Sequence, residues 1–358
     1  MAKDKNSLVE KFLKNSKLKY TKPLNRSILT EDIESIVTDV PALNIAFSGK
    51  IDGGLEPGFH QITGPSKHFK SSFGLVFVSS FLKQYDDGVV LFFDSEFGAS
   101  MKYFERFGID EDMRERVIHL PFENLEQLKF ELVGQLDAIE RGEHIMIFID
   151  SIGLSASKKE LDDALAEKGS ADMSRAKQLS SIARMITPIL SIKKVPCLVV
   201  NHVYKTQEMF SKDVVSGGQK LELSSQTIII LSRSKEKNND NEVTGYTFNM
   251  KIMKSRTAKE ETRVPITVSW NGGIHRWSGM TDIASALDVI EETKISRSKA
   301  FKFVKNDGTE LIVKASELDT HDVFWQAVLN ESNLRQLIEN TYTVGGSGAK
   351  VEQLMADE

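Results

Sequence analysis

From Phe59 onward the chain alternates short apolar runs with longer segments of helical period. His60–Thr63, Val89–Asp94, Ile145–Asp150, Leu198–Asn201, Thr227–Leu231, Tyr246–Met253 and Pro265–Trp270 read as strands. Between them Ser71–Tyr85, Leu125–Arg141 and Asp172–Lys193 read as helices, the last with Leu179, Ile182, Ile186 and Ile189 along one face. Strands that are apolar throughout must be covered on both faces. Their alternation with helices therefore predicts an α/β fold with a largely parallel central sheet. The later strands, joined by shorter links, predict antiparallel additions at an edge.

The two ends follow other patterns. Ser7-Leu8-Val9-Glu10 fits a capping box, and Leu8, Phe12 and Leu13 then suggest a short helix. Lys14–Lys22 is too polar and basic to pack alone, so residues 1–35 read either as a small helical arm joined to the core or as a solvated tail. After Trp270 come a helix over Met280–Ile290, a hairpin over Phe301–Ala315 around Asn306-Asp307-Gly308, and a helix over Asp322–Thr341. The expected organisation is an arm (1–35), a core (36–279) and a small C-terminal α+β unit (280–358) ending in a Gly-rich tail. No internal repeat is visible.

Composition narrows the picture. Over 358 residues the formal net charge is only -5, so no global basic field points to nucleic acid, and any such contact must come from local patches. Apolar runs such as Val89–Phe93 fall far short of the roughly 20 residues that span a bilayer, which predicts no membrane contact, and the charged start Met1–Asn6 lacks the apolar segment of a secretory signal, which predicts a cytoplasmic protein. The single cysteine, Cys197, lies within Val195–Val200 and reads as a buried core thiol.

The candidate chemistry begins at Gly64-Pro65-Ser66-Lys67-His68-Phe69-Lys70-Ser71, with Ser72 next. This segment follows a predicted strand and opens a predicted helix, where backbone N–H groups and the helix N-terminus can surround phosphate oxygens. Lys70 would reach the β and γ phosphates and Ser71 would hold Mg²⁺. Phe69 departs from the common G-x-x-x-x-G-K-[ST] pattern, which has a second glycine there. Ile145–Asp150 ends in a carboxylate suited to the same Mg²⁺. An Asp at a strand end is common, and it is the combination with Lys70-Ser71 that favours a nucleotide site for ATP and Mg²⁺. Glu96, just beyond the Val89–Asp94 strand, is the candidate base or orienting group for an attacking water, against the alternative of a surface carboxylate.

The order of these pieces, closing on a strand that ends in Asn201-His202, resembles the core of the RecA family of DNA recombinases over roughly residues 36–275. Gly64-Pro65-Ser66-Lys67 with Phe69-Lys70-Ser71, and Tyr204 with Thr206-Gln207-Glu208-Met209-Phe210-Ser211-Lys212, are similar to the UvsX recombinases of tailed bacteriophages. Phe69 is then a subgroup feature. The resemblance implies that Tyr103 stacks on adenine, the alternative being a core aromatic. It places His202 where RecA has a Gln that senses the γ-phosphate; a His can donate the same hydrogen bond.

It also implies two DNA-contacting loops. One spans about 157–171 with Lys158, Lys159 and Lys168; the other spans 203–220 with Tyr204, Lys205, Phe210, Lys212, Lys220 and a flexible point at Gly217-Gly218. Lys254 and Arg256 match the cation pair that a RecA subunit inserts into its neighbour's ATP site, and the arm matches the element that docks on the next subunit. The implied activity is that of a DNA-dependent ATPase. It forms a helical homo-oligomeric filament on single-stranded DNA and pairs it with homologous double-stranded DNA in recombination, repair and recombination-dependent replication. A mediator and a single-strand-binding protein are implied partners. The rival readings are a ring helicase on the same core and a nucleotide-binding scaffold without turnover.

Overall fold

The computed structural model describes residues 5–166, 174–205, 213–237, 240–270 and 272–345. The chain separates into two compact units, Met1–Glu34 and Ser35–Glu358. The first consists of α1 (Lys5–Asn15) and single 3-10 turns at Leu24–Arg26 and Ile28–Thr30. Helix α1 already includes Lys5 and Asn6, so Ser7 lies within it and the expected capping box does not form its start. None of residues 8–34 is buried, and Phe12, Leu18, Leu24 and Leu29 stand exposed.

The second unit opens with α2 (Pro41–Ser48), started by a proline in its first turn and ended by Gly49 at φ +77°. Every residue of α2 is buried, so it has no polar face and no amphipathic signature in the sequence. There follow β1 (Gly58–Gly64), α3 (Lys70–Gln84), β2 (Val89–Asp94), α4 (Met101–Arg106), α5 (Glu111–Glu115), β3 (Val117–Pro121), α6 (Leu125–Ala138) and β4 (Ile145–Asp150). The core continues with α7 (Lys158–Leu165), α8 (Ser174–Lys193), β5 (Pro196–Lys205), β6 (Asp213–Val215), α9 (Gln219–Ser224), β7 (Thr227–Lys237), β8 (Val243–Lys254), β9 (Arg263–Ser269) and β10 (Gly273–Ile274).

Strands β1 to β10 form one sheet in the order β10-β9-β8-β7-β1-β5-β4-β2-β3, with β6 paired to β5. The run from β7 to β3 is parallel, whereas β8, β9 and β10 are added antiparallel. Strand β4 shows why its sequence is continuously apolar. Met146 and Phe148 enter one hydrophobic cluster with Phe73, Phe77 and Phe248, while Ile147 and Ile149 enter a second with Leu128, Leu132, Ile182 and Ile186. Both faces are covered, as expected of a parallel sheet. Cys197 is buried in β5, and burial pushes its thiol up.

Helix α3 is seated through Gly74, where an added Cβ would stand 2.3 Å from Cε2 and 2.5 Å from Cζ of Phe148. Both atoms belong to a ring locked in the core. Gly74→Ala is therefore expected to destabilise the protein by about 1–3 kcal/mol, the cost of overpacking, measurable by urea unfolding.

The remaining elements are α10 (Met280–Ala286), the antiparallel sheet β11 (Glu291–Ile295), β12 (Ser298–Val304) and β13 (Glu310–Lys314), then α11 (Ala315–Leu318), α12 (Asp322–Glu331) and α13 (Leu334–Tyr342). Two expectations are corrected here. The helix expected to Ile290 stops at Ala286, because Asp288 takes φ +54° and the chain turns into β11. The helix expected over Asp322–Thr341 is two, since Ser332 is extended and its hydroxyl accepts from Leu334 N at 3.1 Å. Trp277 and Trp325 stack at 5.9 Å and join the same cluster as α2 and α3. Among the described residues no helix is long and apolar enough to cross a membrane.

Candidate nucleotide and DNA site

Four neighbouring parallel strands deliver the site. In register, Gly64 at the end of β1 faces His202 on β5, and Asp94 at the end of β2 faces Asp150 at the end of β4. The sequence-predicted Lys70, Ser71, Glu96, Asp150 and His202 thus gather at the carboxyl ends of the strands, where open α/β sheets place ligands.

The phosphate loop shows why a glycine is usual at position 69. Phe69 has φ +56° and ψ 22°, the left-handed region that a side chain enters at a cost of about 1–2 kcal/mol. Here an aromatic ring takes that conformation while packing 5.4 Å from the buried Phe248. Lys67 is also left-handed, at φ +60°, and its carbonyl accepts from Arg233 Nη1 at 2.8 Å. The guanidinium of Arg233 lies over the Tyr246 ring, 4.3 Å from its centre. Sequence reading passed over Arg233, whose only signal was a basic residue following an apolar strand. His68 Nδ1 lies 2.9 Å from Ser66 O, and burial with nearby Arg233 and Lys70 lowers its pKa.

Lys70 is only 6% exposed, and its ammonium donates to Pro65 O at 2.9 Å. Burial lowers its pKa, and the carboxylates of Glu96 and Asp150 oppose that shift. Asp150 is buried, which raises its carboxyl to about 6 against the hydrogen bond from Ser71. Its Oδ1 has no partner among the described atoms. A buried carboxylate oxygen without a partner, beside a serine hydroxyl, supplies two of the six oxygen ligands of a cation such as Mg²⁺, which takes the others from water and phosphate. The residues present therefore fit that ion.

Glu96 is oriented from three sides. Asp94, buried at the end of β2, accepts from the backbone N–H groups of Glu96 and Phe97 at 3.0 and 2.8 Å. Ser151 Oγ donates to Glu96 Oε1 at 2.5 Å, and His202 Nε2 stands 3.5 Å from the same oxygen. The His202 hydrogen bond is the main cause that holds Glu96 at about 2, aided by Ser151 and opposed by burial. Asp94, two residues before Glu96, and Ser151, next to Asp150, carried no separate signal in the sequence.

Tyr103, on α4, half-buried, shares a hydrogen bond with the Ser72 hydroxyl, and burial raises its pKa. It lines a cleft of about 750 Å³ with Phe69, Ser72, Arg106, Trp270 and Gly273, a size within the usual range for ligand pockets. Trp270 is 59% exposed and is a further aromatic wall of the cleft, one with no signal in the sequence.

The expected DNA loops are partly described. Lys158 and Lys159 open α7, capped by the Ser157 hydroxyl on Glu160 N at 3.1 Å. Lys159 pairs with Asp163 at 3.1 Å, and α7 carries Glu160, Asp162 and Asp163 against its two lysines. The described part of this loop is therefore not a basic patch. In the second loop, exposed Tyr204 and Lys205 lie on the end of β5, paired with Val214 and Asp213 of β6. Gly217 and Gly218 have φ +106° and +79°, and Gly218 caps α9. An added Cβ at Gly217 would meet Leu221 Cδ2 at 2.6 Å. The pair expected as a flexible point is thus needed for a packed left-handed turn. Lys220 is exposed on α9. Lys168, Phe210 and Lys212 lie outside the described residues.

Lys254 ends β8 and donates to the carbonyls of Glu222 and Leu223, at 2.9 and 2.7 Å, at the end of α9. Burial, then the nearby Arg256, lowers its pKa. Arg256 is exposed.

This fold and site define a phosphate-loop α/β protein whose parallel sheet is extended by antiparallel strands. Residues 7–275 match the RecA N-terminal domain family, and the chain belongs to the RecA family. It is 41% identical over 344 residues to the recombination and repair protein of Enterobacteria phage T4, covering 95% of this chain and 87% of that one. It is 28% and 27% identical over 268 residues to protein RecA of Rickettsia bellii (strain RML369-C) and of Rickettsia massiliae (strain Mtu5). Each alignment covers 73% of this chain and 74% of the relative. The resemblance read from the Gly64–Ser71 and Tyr204–Lys212 segments holds at the level of the family, as does the fold class.

Proposed function

We propose that this chain is an ATP-dependent recombinase that polymerises on single-stranded DNA and pairs it with homologous duplex, acting in the cytoplasm. One observation carries the reading. Lys70, Asp150, Glu96 and His202 meet at the ends of adjacent strands, and β5 runs on from His202 directly into Tyr204 and Lys205. Nucleotide chemistry and the candidate DNA loop share one strand. The exposed apolar side chains of the N-terminal arm, none of whose residues 8–34 is buried, suit docking on a second copy of the chain.

In this reading the phosphates occupy the loop of residues 64–71, and Lys70 exchanges Pro65 O for phosphate oxygens. Ser71 and Asp150 would hold Mg²⁺, which when bound neutralises phosphate charge. The ring of Tyr103 stacks on the base. Glu96 accepts a proton of the attacking water in a hydrogen bond and aims the water at phosphorus. Asp94 and Ser151 fix the carboxylate for that task. The test is ATP hydrolysis with and without single-stranded DNA, together with joint-molecule formation between a single strand and a homologous duplex. Stimulation by DNA and joint molecules are expected. Strand separation without joint molecules would instead indicate a ring motor, and DNA binding without turnover a scaffold.

Lys70→Ala is expected to weaken ATP binding by about 10²-fold, because a buried charge-assisted contact to phosphate is lost. ATP-dependent DNA binding should go with it. Unchanged ATP affinity by calorimetry would remove the nucleotide from this loop.

A further inference from the structure

The first described turn of α8 places a guanidinium where both candidate DNA loops are rooted. Arg175 Nε donates to Ser155 O at 3.0 Å, and Nη2 donates to Ile152 O at 3.2 Å, to Gly153 O, and to Ser216 Oγ at 3.3 Å. Residues 152–155 lead from β4 into the first loop, and Ser216 lies in the returning half of the second, between β6 and α9. Among the described residues these partners are carbonyls and one hydroxyl, with no carboxylate. Burial lowers the pKa of the group.

The same atoms are tied to the nucleotide end of β5. Ser216 N donates to His202 O at 2.9 Å, and Ser216 O accepts from Asn201 Nδ2 at 2.8 Å. Asn201 is fully buried and also holds Gln61 of β1 at 2.7 Å and His202 N at 2.8 Å. Gly153 lies so close to His202 that an added Cβ would stand 2.3 Å from the ring Cδ2. His202 is thus packed on Gly153 and bonded through its carbonyl to Ser216, and Arg175 grips both.

We infer that Arg175 is a positioning residue that locks the roots of the two candidate DNA loops to the His202 strand and so sets the coupling between ATP and DNA. This rests on the function proposed above. Arg175 touches neither the phosphate loop nor Glu96 in the described structure; it acts through backbone. Only the planar guanidinium fork offers several donors in fixed directions, and the ammonium of a lysine cannot span the same acceptors.

The experiment measures the affinity for a labelled oligonucleotide of single-stranded DNA, with a non-hydrolysable ATP analogue and without nucleotide. The ratio of the two affinities is the coupling. The wild-type ratio is expected to be about tenfold or more, in the usual range of allosteric coupling, and Arg175→Lys should bring it to within about twofold of unity. ATP affinity by calorimetry should stay within about twofold of wild type, a split that a merely structural defect would not give. Ser216→Ala, which removes only the hydroxyl partner, should lower the ratio several-fold and decides the matter if Arg175→Lys does not fold. A wild-type ratio in either folded variant overturns the inference. So does equal weakening of both affinities, which would make Arg175 a simple DNA contact. A ratio of one in the wild-type protein overturns the proposed function itself.

Discussion

Glu96→Gln is expected to slow ATP turnover by about 10²-fold or more while leaving ATP binding near wild type, the range of losses for a group that handles the attacking water. The replacement has nearly the same shape, and its amide oxygen can still accept from the Ser151 hydroxyl that now lies 2.5 Å from Oε1. What disappears is the negative charge. That charge is secure at neutral pH, since His202 and Ser151 hold the carboxyl at about 2. So low a value makes Glu96 a weak base and a good fixed acceptor, which favours orienting the water over removing its proton early. Release of His202 toward a phosphate would take away the larger of the two stabilising contacts and make the carboxylate more basic. Steady-state hydrolysis beside calorimetry measures both halves of the expectation. Normal turnover by Glu96→Gln would mean that another group aims the water.

Much of this site was legible because its residues end strands that are buried on both faces. Val89–Asp94 and Ile145–Asp150 were readable to the residue, since an apolar run broken by a carboxylate marks where the sheet meets solvent. Strand β3 was missed for the opposite reason: it is an edge strand, its residues are exposed or half-buried, and no alternation survives. Helix α2 was missed because it is covered all round. Phe69 stood out as a departure from a pattern, but only the backbone explains it, with a left-handed φ retained and an aromatic ring packed on Phe248. The network of Gln61, Asn201, Ser216 and Arg175 could not be read at all. Its members lie up to 155 positions apart, and short-range periodicity carries no information on which polar groups will meet inside.

Lys254 and Arg256 are expected to serve the ATP of a neighbouring subunit, and the register of the sheet is compatible with that role. Lys254 faces Ile228, which faces Gln61, so Lys254 sits three residues short of Gly64 along β1, roughly 10 Å at about 3.3 Å per residue. Because β8 runs antiparallel to β7, Arg256 lies farther still from the phosphate loop, and its charge is felt by His60 near the start of β1. Lys254 is thus level with the middle of β1 and Arg256 lies below it, both set back from the strand ends that carry their own Lys70 and Asp150. If they serve the ATP of another copy, as the offset suits, Lys254 must first leave the carbonyls of Glu222 and Leu223. Two variants, Glu96→Gln and Lys254→Ala with Arg256→Ala, should each be nearly inactive alone. In a mixture, some interfaces join the intact Glu96 of one to the intact cations of the other. Hydrolysis should then exceed the sum of the separate activities and peak near equal amounts. Cations acting within their own subunit could give no such gain, because neither chain carries a complete set. A flat mixing curve from co-assembled variants, with co-assembly checked by electron microscopy, would place Lys254 and Arg256 outside the ATP site.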